Sequence, residues 1–206
     1  MKKLLVLIFS LFFLYSPSVF ADDISDFQIE GMSIGDSLLD YMTEDEILEA
    51  MEETKDIYHY LNEPNKYAEI YIWNDLSIYD LVTVHVKNSP STVYLTNKNE
   101  QYEILTIRGL LKYTEDFDGC IQKRDEIEET LSEMFPNAEK WDTIFPKSDD
   151  PSGKSITDKV YFELEEGTLQ LACTNYEETF RIKNNIVNSL AVIVRTEEIR
   201  RWLLDK

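Results

Sequence analysis

The sequence predicts an α+β fold: antiparallel sheet with helices segregated from the strands. Three observations predict it. Apolar residues recur at helical spacing in three separated stretches. Between them the period changes to two, in short runs bounded by turn residues. Most of the runs that succeed one another are joined by segments too short for the helical crossovers a parallel sheet requires. The order helix then strands occurs twice, over about 43–112 and about 118–195, without a residue-level repeat. The exported part, 22–206, is therefore read as one α+β domain, with subunits 22–113 and 118–206 as its natural division.

The first element is a leader. Lys2 and Lys3 precede an apolar run over 4–15 broken only by Ser10, Pro17 comes next, and Val19 and Ala21 occupy the small-residue positions of a cleavage site. The pattern predicts a secretory signal cleaved after Ala21. The run is about a dozen residues, short of the roughly 18 needed to span a bilayer. A periplasmic or secreted protein is the expectation, with no transmembrane segment after cleavage.

The first helix opens on Thr43 and Glu46, a capping box with Glu44 and Asp45 in its first turn. Ile47, Leu48, Met51, Thr54, Tyr58 and Leu61 form its stripe, and Asn62 and Pro64 end it. Strands come after it. Tyr67, Glu69, Tyr71 and Trp73 alternate with Ala68, Ile70 and Ile72, and Val82, Val84 and Val86 alternate with Thr83, His85 and Lys87. Further strands are predicted over 92–96 and 102–111, around a polar turn at 97–99. The second helix is predicted over 119–135, capped by Asp118, with Ile121, Ile127, Leu131 and Met134 on one face and Pro136 as its stop. A polar loop occupies 147–155. Val160, Phe162 and Leu164 then turn through Glu166 and Gly167 into Leu169, Leu171 and Cys173, a hairpin signal. Phe180 with Ile182, then 190–194, read as two more strands. Thr196 caps a last short helix carrying Glu197, Glu198, Arg200 and Arg201.

Cys120 and Cys173 are the only cysteines. An exported chain with an even count predicts that they pair. Closing a loop of that length is worth roughly 4 kcal/mol by chain entropy. Cys-x-x-Cys spacing is absent, which argues against a redox pair.

Charge excludes more than it assigns. Forty acidic residues face 20 basic ones, a formal charge of −20. Losing the leader removes two lysines and no acid, leaving 18 basic residues. Nucleic acid and anionic lipid are poor partners for such a surface. Thirteen acids and one base, Lys55, lie between Asp22 and Asp56, but no EF-hand loop is formed: Asp116, Asp118 and Gly119 echo one whose first position would be Thr114. His59 and His85, the only imidazoles, do not supply the three or four convergent ligands of a zinc site. No metal or other cofactor is expected.

Gly35-Asp36-Ser37-Leu38 resembles the nucleophile block of the GDSL (SGNH) esterases and lipases, and this resemblance implies a serine hydrolase using Ser37. The family's other blocks depart. Ile72-Trp73-Asn74-Asp75 lacks the oxyanion glycine, Asp56-Ile57-Tyr58-His59 spells Asp-x-x-His only about 20 residues downstream, and no His occurs after residue 85. The longer string over 27–41 is similar to the opening of small exported proteins of marine bacteria, with no activity implied. In element order alone the chain also resembles secreted β-lactamase inhibitors built from tandem helix-plus-sheet units, a likeness that carries no functional residues across; an inhibitor of, or accessory partner to, another envelope protein is a further alternative. The leading expectation is a binding or structural module without enzymatic activity. Its partner would be a protein, a peptide or a small ligand, and the aromatic alternation Tyr67, Tyr71, Trp73 offers a binding face unless the first helix covers it.

Overall fold

The computed structural model describes residues 23–54, 66–87 and 101–205. The leader over 1–21, the strand predicted over 92–96, and the first helix beyond 54, with Tyr58, His59 and Leu61, lie outside them. In chain order the elements are α1 (Glu44–Thr54), β1 (Tyr67–Ile72), β2 (Leu81–Lys87), β3 (Ile104–Lys112), α2 (Phe117–Met134), β4 (Glu139–Pro146), β5 (Ile156–Leu164), β6 (Gly167–Asn175), α3 (Glu178–Asn184), β7 (Ser189–Thr196) and α4 (Glu197–Leu204). The predicted α+β class with antiparallel sheet is what the chain forms.

All the described strands belong to one antiparallel sheet in the order β1-β2-β3-β7-β6-β5-β4. The last strand of each helix-then-strands half, β3 and β7, pairs at the centre, so both halves share one hydrogen-bonded ladder. The pairing register puts Ile70, Val84, Ile107, Val194, Leu169 and Phe162 in one row on one face. Alternation then assigns Val82, Val192, Leu171 and Val160 to that face as well. All are buried, and they share a core with Ile47 of α1 and Cys120, Leu131 and Phe135 at α2. Arg124 of α2 pairs with Asp158 of β5 and Glu128 with Lys140 of β4, on the same side. The Cys120–Cys173 disulfide joins α2 to β6 within this core.

Local chemistry explains the termini. The Thr43 N–H donates to the Glu46 carboxylate at 2.8 Å and the Glu46 N–H to the Thr43 hydroxyl at 3.4 Å, closing the capping box. For α2 the cap is Asp116 and not Asp118: its Oδ1 accepts from the Gly119 N–H at 2.8 Å, and the helix begins two residues earlier than predicted. The segment read as a strand at Phe180 and Ile182 is α3. Glu177 accepts from the Phe180 N–H, Asn185 closes the helix in the left-handed region at φ 51°, and Ile182 points to solvent, so an i, i+2 pair in seven residues does not separate the two periods. β4 lies where the sequence predicts no strand. It is an edge strand whose residues are largely exposed, so neither face carries the apolar alternation that marks a buried strand.

Candidate functional site on the open face of the sheet

With α1 and α2 on one face, the opposite face must be covered by something else or meet solvent. One end of it is covered. A bulge in β3 opposite His85 and Val86 turns Leu105 to that side, and Leu105 packs with Tyr67 of β1 under Ile199, Trp202 and Leu203 of α4. Tyr67 and Trp202 meet edge to face at 4.8 Å, and the Tyr67 hydroxyl donates to Glu198 at 2.7 Å.

This changes the aromatic face expected from the sequence. Tyr67 is buried, by α4 and not by α1, which lies on the other side, so it offers no ligand surface. Tyr71 is half-buried and Trp73 exposed, with their rings edge to face at 6.2 Å. The three residues do not form one platform.

Next to the α4-covered end lies a row of buried polar groups on β1, β2 and β3: Glu69, His85 and Thr106. His85 Nε2 stands 3.8 Å from Glu69 Oε2. Burial, then the Arg195 and Arg108 guanidiniums, push the imidazole down to about 3, so at neutral pH it is uncharged and the contact is not an ion pair.

Beyond that row the face is concave. A cavity of about 450 Å³ opens over β3, β7, β6 and β5, floored by Ala172, Ala191 and Ile193. Small side chains on two adjacent central strands make the depression, and longer residues around them make its walls. Of the sixteen residues that line it, three are basic, Arg108, Lys147 and Lys159, and none is acidic. In a chain with twice as many acids as bases, that composition is the reverse of the average surface. Among the described residues neither Arg108 nor Lys159 has a carboxylate within ion-pair distance.

Lys159 instead lies over aromatic rings, its ammonium 4.8 Å from the Phe145 centroid and 5.7 Å from that of Tyr161. Tyr161 in turn stacks on Trp141 at 5.1 Å. Burial, followed by the like charges of Arg195, Lys147 and Arg108, holds the Lys159 pKa below its ordinary value. Lys147, by contrast, has Asp149 at 3.7 Å and lies over Tyr176.

The rim is held by a polar network. Asp150 accepts from the Ser152 N–H and hydroxyl and from the Ser155 N–H and hydroxyl, all between 2.6 and 3.0 Å. These bonds, Ser155 first, keep its carboxyl well below the usual carboxylate range. The Ser155 hydroxyl accepts from the Glu177 N–H, and Asn188 ties Tyr176, Asn175 and Thr114 together. The loop expected over 147–155 is thus a fixed wall beside Lys147 and Tyr176.

The GDSL-like string lies elsewhere. Ser37 is fully buried; its hydroxyl donates to the Gln101 carbonyl at 2.7 Å and accepts from the Leu39 N–H at 3.3 Å, capping a short 3-10 turn over Leu38–Asp40. Asp36 accepts from the Ser33 N–H and the Tyr41 hydroxyl, and Tyr41 is exposed. Two further depressions, one along Asp118, Asp125, Glu126 and Glu129 of α2 and one beside Phe135 and Glu163, have no cationic lining. Among the described residues no group of three or more His, Cys, Asp or Glu is placed to hold a metal ion, and no helix is long and apolar enough to cross a membrane.

Fold and site together define an antiparallel α+β protein with a cation-lined cavity on its sheet. Comparison with protein-family models, curated proteins and solved structures finds no match.

Proposed function

We propose that this chain is an exported binding module whose ligand is anionic and sits in the cavity over β3, β7, β6 and β5. The observation that carries it is the pair Arg108 and Lys159, two cations without a carboxylate partner among the described residues, in a cavity with no acidic lining, on a protein of charge −20. Half-buried cations of this kind raise the free energy of the unliganded fold, through desolvation and mutual repulsion. An anion entering the cavity relieves both. The leader-like 1–21 and the Cys120–Cys173 disulfide support export.

The test is an amide chemical-shift titration of the chain lacking 1–21 with three anions of different build: 2-naphthoate, inorganic sulfate and heparin. At least one should move the amides of Arg108, Lys159, Ala172 and Ala191 in a saturable way. If none moves them at millimolar concentration, no anion site exists there.

A further inference from the structure

Binding of an anion in the cavity, as proposed for this chain, leaves the class of anion open. On that basis, and from the shape and surroundings of the cavity, we infer that its ligand is a small amphiphilic carboxylate, an acid group on a compact apolar or aromatic body, and not a polyanion.

Three features of the molecule argue for this. The floor is apolar, formed by Ala172, Ala191 and Ile193, while the cations stand in the walls, so one part of the ligand meets hydrocarbon and another meets charge. A fully hydrated inorganic ion would leave that floor wet and gain nothing from it. Second, the volume of about 450 Å³ suits a molecule of one or a few rings, and the cavity is walled on one side by the residues after α3, Asn185, Ile186 and Val187.

Third, long polyanions are opposed by the rest of the molecule. Only three cations line the cavity, whereas the whole chain carries a twenty-charge acidic excess. A polymer that placed one anionic group against Arg108 would extend others beyond the rim, towards a surface of the same sign. A ligand contained within the cavity, inside about one Debye length of its cations, avoids that repulsion. Arg108 presents a planar donor fork suited to a carboxylate, and Lys159 a point-charge ammonium over Phe145 and Tyr161, whose rings suit an aromatic neighbour.

The inference is tested by isothermal titration of the chain lacking 1–21 with 2-naphthoate, neutral 2-naphthalenemethanol, inorganic sulfate and heparin. Saturable one-to-one binding of 2-naphthoate is expected, at least tenfold tighter than of the alcohol or of sulfate, with no binding of heparin. Arg108→Gln and Lys159→Gln should each weaken naphthoate tenfold or more. Ala191→Ile fills the floor with a strand-compatible side chain and touches no charge; it should also weaken naphthoate at least tenfold. Thermal melts confirm that each variant folds, and should Ala191→Ile lack a cooperative transition, the two charge variants decide.

Equal binding of the alcohol, or naphthoate binding unaffected by Arg108→Gln and Lys159→Gln, overturns the inference. Heparin or sulfate binding that depends on Arg108 and Lys159, with naphthoate inert, overturns it too, yet leaves the anion-binding proposal standing. Failure of every anion to bind removes both.

Discussion

Removing the disulfide is the perturbation whose magnitude comes most directly from the architecture. Cys120 lies in the first turns of α2 and Cys173 near the end of β6, both fully buried and 53 residues apart in sequence. The bridge closes a loop containing β4, β5 and most of α2, so its loss releases that whole segment in the unfolded chain. Chain entropy for a loop of that length gives about 4 kcal/mol. The paired substitution Cys120→Ala with Cys173→Ala deletes two buried sulfurs and leaves a void in their place, which adds a smaller packing loss in the same direction. For a chain of this size each kcal/mol lowers Tm by about 2–4 °C. The double variant should therefore melt roughly 8–16 °C below the parent, measured by circular dichroism on chains lacking 1–21. Dithiothreitol should reproduce most of the shift in the parent and none in the variant. A shift under about 2 °C, less than a single kcal/mol produces, or free-thiol labelling of both cysteines in the native, unreduced protein, would refute the assignment of this bridge as a structural cross-link.

Other expectations attach to individual residues. His85 is held neutral with a pKa of about 3, below its unfolded value of about 6.5, so the unfolded chain binds the extra proton between those limits. Stability should fall as pH drops through that window, by about 2 kcal/mol between about pH 7 and pH 5, and His85→Gln should flatten the dependence in urea melts; an unchanged slope would contradict it. Gly167→Ala would drive a Cβ into the Arg195 carbonyl oxygen, which cannot move without breaking β6–β7 pairing. Its expected effect is a loss of about 1–3 kcal/mol in denaturant midpoint experiments, and a neutral outcome would show that the backbone gives. Ser37→Ala removes a buried cap and should lower stability by about 1–2 kcal/mol while leaving any turnover of short-chain esters unchanged. Serine-dependent turnover would restore the hydrolase reading.

Much of the scaffold is legible because it depends on local chemistry. The Thr43–Glu46 box, the Thr196 cap and the turn between β5 and β6 each rest on residues a few positions apart, and the inward alternation Leu169, Leu171, Cys173 places the second cysteine correctly. The cavity is not local. Arg108 and Lys159 come from β3 and β5, on either side of the central pair β7 and β6, and only the register sets Ala191 beside Ala172 between them. Alternation tells that Lys159 and Tyr161 share a face, not whether an acid lies across from them. The same limit explains Tyr67: its period is visible in the sequence, but a helix more than a hundred residues later covers it. A signal is nonetheless present, since a basic residue inside an apolar strand run, as at Arg108 in a strongly acidic chain, is a position that asks for a partner.

The most direct test of the central claim is a crystal structure of the chain lacking 1–21 grown with 6-bromo-2-naphthoate, using anomalous scattering to locate the bromine. Ligand binding in the cavity predicts a single bromine site over Ala172 and Ala191, with the carboxylate in contact with Arg108 or Lys159. Bromine bound elsewhere with this cavity vacant, or the carboxylate turned to solvent and away from both cations, would contradict it.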